Sequence, residues 1–174
     1  MISGILFRVY PTKSDFSCSS FCSLNSNNMY VGFLHIHDTL RWLILIGLLI
    51  ALTKYLAGWL GNKPWKRADN LLGNAVTLLM DLQLVTGLTL YFFLSPITQM
   101  ALSNFGAAMK DKELRFYAVE HFSIMLIAVI LVHFGRAKSK NAKTDEGKFK
   151  AGSIFFLIAL MVIFAAIPWG RLGN

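Results

Sequence analysis

The chain is short of charge, of acidic residues and of cysteine, and each shortage excludes something. Only 15% of its 174 residues are charged, against roughly a quarter in a soluble domain, while 55% are apolar and mean hydropathy is +0.54. So few charges cannot solvate that much apolar surface, which excludes a soluble domain. Disorder is excluded too, because unstructured chains are poor in aromatic residues and this one has 14 Phe and 4 Trp. The two cysteines, Cys18 and Cys22, are too few for a disulfide framework and wrongly placed for a zinc site. No Ser–His–Asp arrangement, Gly-rich phosphate loop or pair of histidines one helical turn apart occurs, so hydrolysis and group transfer find no support, and no catalytic residue is assigned.

What the chain has in quantity is long apolar runs. Crossing a hydrocarbon layer of ~30 Å takes about 20 mostly apolar residues as a helix, with every backbone group bonded within it. Four segments qualify: about 33–60 through LRWLILIGLLIALTKYLAGWL, about 70–93 through LLGNAVTLLMDLQLVTGLTLYFF, about 116–134, and about 151–167 through SIFFLIALMVIFAAI. Gly61, Pro64 and Asp69/Asn70 punctuate the first connection and Ser95-Pro96 the second; Gly135 is expected to close the third span and Pro168 the fourth. The fold class is therefore all-α, an integral membrane four-helix bundle over residues 29–174. Residues 1–28 lack this character, and the run Ile2 to Phe7 is too brief for a signal-peptide core. They are expected to form a weakly structured N-terminal extension ahead of Met29.

Orientation follows from where Lys and Arg fall, because short cytoplasmic loops carry the excess. The first connection holds Lys63, Lys66 and Arg67, with Lys54 able to snorkel toward it; the third holds Arg136, Lys138, Lys140, Lys143, Lys148 and Lys150. Both are placed in the cytoplasm. In the middle connection, 94–115, Lys110, Lys112 and Arg115 are offset by Asp111 and Glu113, so it and both termini are placed outside. The chain is thus expected in the cytoplasmic membrane, and its net charge of +8 mostly describes topology. Lipid is the partner this implies, and nucleic acid is not. Trp42, Trp59, Trp65 and Trp169 are expected to sit in aromatic belts.

Ionisable groups inside a bilayer are costly, about 2.5–3.5 kcal/mol each on insertion scales, so each one is a candidate site. They are His35, His37, Asp38, Arg41, Lys54, Asp81, Glu120, His121 and His133. At ~1.5 Å per residue, His37 lies about 12 Å and His121 about 7 Å above the midplane, with His133 about 10 Å below it and Asp81 near the centre. An iron held by two imidazoles needs them at nearly equal depth on facing helices, and His37 with His121 is the His–His pair that comes close. Arg41, four residues after His37, shares its face. On the second helix Asn70, Asn74, Thr77 and Asp81 form one polar stripe, expected to face protein, with His121 a candidate partner for Asp81. Gly47, Gly58, Gly73 and Gly87 suit close helix contacts.

The stretches IHDTLRW (36–42), LQLVTGLTLYF (82–92), LRFYAVEH (114–121), GRAKSKNAKTDEGKFK (135–150) and AAIPW (165–169) resemble a family of small four-helix membrane proteins of Bacteroidota labelled cytochrome b-like. The resemblance spans Met29 to Trp169. It implies haem b, with His37 and His121 at two of the family's histidine positions; where the family often has a third histidine, before the Leu-Gln of the second helix, this chain has Asp81. Two readings lead at this point, ahead of a third in which Asp81 serves transport or proton conduction. One is an electron-transfer component holding one haem between His37 and His121 and serving a redox partner; the other is a haem-free, non-catalytic membrane subunit or scaffold within a larger complex.

Overall fold

The computed structural model describes residues 16–167, with side chains from Asn28 onward. Residues 1–15 of the expected extension, together with Pro168 and Trp169, lie outside the described part, and Cys18 and Cys22 precede the described side chains. Helix α1 spans Phe16–Leu60, so it takes in residues 16–28 that the composition assigned to the extension. Helix α2 is Arg67–Thr89 and runs on through a π-helical turn, Leu90–Leu94. Three short helices come next, α3 Pro96–Ser103, α4 Phe105–Ala108 and α5 Lys112–Arg115, in a segment that reads from sequence as a plain connection. A second π-helical turn, Phe116–Glu120, leads into α6, His121–Asn141, and the described part closes with α7, Asp145–Ala166. Four of these stretches are long and apolar enough to cross a membrane: Asn28–Leu60, Arg67–Leu94, Lys112–Asn141 and Asp145–Ala166.

The apolar residues are not confined to one face. Ile46, Leu49, Ile50, Leu78, Val85, Ile130 and Met161 are each more than half exposed, while Leu48, Ala51, Val132, Phe156 and Ala159 are fully buried. Helices that are apolar inside and outside suit a bundle whose solvent is hydrocarbon. Around the ring each helix touches two neighbours: α1 packs on α2 and α7, and α6 packs on α2 and α7. The pairs α1/α6 and α2/α7 therefore face each other across the bundle axis.

One end carries the basic connections and is tied tightly. Lys66 caps α2 while the Asp69 carboxylate accepts from its backbone N–H at 2.7 Å and pairs with Lys54 Nζ at 2.9 Å. Tyr55, with no exposed surface, donates its hydroxyl to the Asp69 carbonyl at 2.8 Å and stacks on Phe156. The Arg136 guanidinium, buried on α6, donates to the Asn74 side-chain oxygen at 2.9 Å and to Asn70, joining α6 to α2. Trp65 packs against Tyr55 and Phe149 and donates its backbone N–H to Asp145 at 3.0 Å, and Trp59 also lies against the core. Both tryptophans are half-buried at this basic end, Trp59 beneath the Lys150 ammonium at 5.6 Å, so they pack on the core while staying at the end of the bundle where a belt is expected. Trp42 is exposed, as a belt residue would be.

Glycine sets how closely the helices meet. A methyl group built on Gly152 would lie 2.6 Å from the Tyr55 ring, and one on Gly58 would lie 2.6 Å from Phe149. Gly135, expected to end its helix, instead lies inside α6, which continues to Asn141, with Phe155 of α7 pressed on its bare Cα. In a membrane bundle a glycine more often makes room for a neighbour than terminates a helix.

Candidate functional site

The opposite end of the bundle, covered by α3 to α5, brings His37 and His121 together. Their ring centroids are 6.4 Å apart with the planes at 64°. His37 comes from α1 and His121 from α6, the two helices that face each other across the axis, so the imidazoles meet in the interior rather than at an edge contact. Three local features aim them. Gly87 on α2 lets that helix approach, since a methyl there would lie 3.2 Å from His37 Cε1. The π-helical turn ends as the His121 N–H bonds to the Phe116 carbonyl, five residues back, which rotates α6 relative to the course of an unbroken regular helix. Arg115 and Glu120 close an ion pair across that turn at 2.7 Å.

The second hydrogen-bonding atom of each ring fixes its tautomer. His121 Nδ1 lies 3.2 Å from the carbonyl of Ala166 on α7, and a carbonyl can only accept, so this nitrogen carries the proton. Thr86 Oγ1 lies 3.0 Å from the carbonyls of Leu82 and Gln83, either of which can take its hydrogen, and 3.5 Å from His37 Nδ1, from which it can then accept. Both Nε2 atoms therefore bear lone pairs. Imidazoles that ligate metals are commonly oriented in this way, by a second-ring-nitrogen bond to a carbonyl or hydroxyl. Phe116 and Tyr117 lie at 5.8 and 6.4 Å from the His121 ring and give the site an aromatic wall. Among the described residues no cluster of three or more His, Cys, Asp and Glu side chains could hold an ion, so a bare metal would have two protein ligands here.

The other expected site residues go elsewhere. Arg41 is largely buried one turn below His37 and pairs with Asp38 at 2.6 Å. The stripe on α2 divides: Asn70 and Asn74 accept from Arg136, and the Thr77 hydroxyl turns back to the Gly73 carbonyl at 2.9 Å. Asp81 does not meet His121. Its Oδ1 lies 3.0 Å from His133 Nε2, on a half-exposed face of the bundle. Depth arithmetic separates these two because it measures each helix from its own centre, whereas the packed helices are offset along the axis. His35 is exposed. Thr86 and Ala166 carry no sequence signal, since neither a threonine nor a backbone carbonyl marks itself as a histidine's partner.

Comparison with protein-family models, with curated proteins and with solved structures found no match to this chain.

Proposed function

We propose that this protein is a membrane electron-transfer component in which His37 and His121 would hold one b-type haem between α1 and α6. The carrying observation is the juxtaposition of those two rings. The ring centroids are 6.4 Å apart, on the two helices that face each other across the axis, so both imidazoles would be available to one group held between α1 and α6. A donor set of two imidazoles suits a porphyrin, which brings four nitrogens of its own, better than a bare ion. When bound, the haem supplies one-electron transfer, at a potential set by its ligands, their hydrogen bonds and burial. The chain's residues contribute the rest. Ala166 and Thr86 hold the ring protons on Nδ1, which keeps Nε2 available, and Phe116 and Tyr117 present an apolar wall that limits water. Asp81, where the family that the chain resembles often has a third histidine, is bonded to His133 and stands apart from this site.

The test is a reduced-minus-oxidised absorption spectrum of protein purified after expression with adequate haem. A b-type band at about one haem per chain is expected. A featureless spectrum would replace this reading with that of a haem-free membrane subunit.

In the same reading the chain lies in the cytoplasmic membrane with the Arg136–Lys150 connection inside and α3 to α5 outside. With Cys18 and Cys22 changed to serine, a membrane-impermeant maleimide should label Lys110→Cys in intact cells and Lys143→Cys only after the membrane is opened. Labelling of Lys143→Cys in intact cells would invert the orientation.

A further inference from the structure

Asp81 and His133 are ionisable, sit within two of the apolar helices, and face outward with 46% of each side chain exposed. In membrane proteins such groups almost always face the bundle interior or a water-filled cavity, because hydrocarbon cannot solvate them. Here they line a groove of about 480 Å³ between α2 and α6, whose remaining walls are Leu84, Val129, Ile130, Phe134 and Ala137. The groove is independent of the His37–His121 site and of what that site holds.

Hydrogen-bond accounting defines what the groove lacks. His133 Nδ1 lies 3.0 Å from the Val129 carbonyl and so carries a proton. Nε2 faces the Asp81 carboxyl at 3.0 Å, which requires a proton between them, whichever atom owns it. The pair is thus neutral overall and both ring N–H directions are used. Among the described residues nothing donates to Asp81 Oδ2. The groove offers one hydrogen-bond acceptor and no free donor, in a wall that is otherwise apolar.

Its depth narrows the occupant further. The Lys138 ammonium, expected in the headgroup layer, lies 5.3 Å from the ring of Phe134, the residue next to His133. The acceptor is therefore just beneath the headgroup layer, where the hydroxyl of an amphiphile with an apolar body naturally lies. A second copy meeting this groove with its own would bring the same acceptor and no donor.

We propose that the groove between α2 and α6 binds a membrane-dissolved alcohol or phenol, whose hydroxyl donates to Asp81 Oδ2 while its apolar body lies against Leu84, Val129, Ile130 and Phe134. The full chain is placed in phosphatidylcholine nanodiscs, a lipid with no hydroxyl donor, and the ¹⁵N resonances of the His133 ring are followed. 4-Octylphenol is titrated against its methyl ether, which has the same shape and no donor. The phenol should shift the His133 resonances saturably, at about tenfold lower concentration than the ether, as expected for one hydrogen bond. In Asp81→Leu, checked for helix content and thermal midpoint, the preference should vanish. Equal responses to phenol and ether, or no response to either because another chain covers the groove, would overturn the proposal; so would a preference that persists in Asp81→Leu. The wild-type comparison decides the matter even if the variant does not fold.

Discussion

Alanine at His37 or at His121 should abolish the b-type band, while alanine at His35 or His133 should leave it in place. The contrast is large because the four histidines share a chemistry and differ only in position. His35 points away from the interior, His133 is bonded to Asp81, and only His37 and His121 face each other across the axis. Losing an oriented outer partner typically lowers metal retention by about 10–100-fold; losing a ligand should exceed that. Thr86→Val supplies the intermediate case. It removes the acceptor for His37 Nδ1–H and keeps the side-chain volume, so haem retention should fall within that lower range, and helix content should stay unchanged. Measured haem per chain across the four histidine variants checks the assignment. Retention by His37→Ala and His121→Ala alike would end it.

The other large effect belongs to the opposite end. Gly152→Val should destabilise the bundle by about 3 kcal/mol, at the upper part of the range for overpacking a filled core. Tyr55 has no room to retreat: its ring lies between Phe149, Phe156 and Trp65, and its hydroxyl is bonded to the Asp69 carbonyl. Gly32→Ala is the matched control, because a methyl there meets nothing within 4 Å. Removing a glycine from a helix interior gains about 0.5–1 kcal/mol, so that variant should be neutral or slightly stabilised. Unfolding midpoints in detergent distinguish the two, and equal midpoints would contradict the close contact at Gly152.

The four long helices are legible in the sequence because a bilayer imposes length and composition on whatever crosses it, and LRWLILIGLLIAL can hardly be anything else. The His37–His121 pairing is legible because each depth can be counted from its own helix centre and the two come out on the same side of the midplane. The illegible part is lateral. The rotation and axial offset of α2 against α6 decide that Asp81 meets His133, and neither quantity leaves a mark in a single sequence. Gly135 misleads because glycine after an apolar run is an ordinary helix terminator in soluble proteins, whereas here Phe155 needs the space. Trp65, beside Lys63 and Lys66, reads as an interfacial residue, and its packing on Tyr55 and Phe149 leaves no mark in the sequence. The short helices between 96 and 115 and the π-helical turns are invisible, because a fifth residue inserted in a turn changes direction without changing composition.

The two ends of the bundle are fastened by different means. At the basic end, side chains from all four long helices interlock through Tyr55, Asp69, Arg136 and Asp145. At the covered end, α1 and α6 approach mainly through two imidazoles that no direct bond joins. The molecule is built like a clothes-peg, with its spring at the basic end and its jaws at the histidines. A group held by both rings would give the two diagonal helices a cross-brace that the polypeptide alone does not provide.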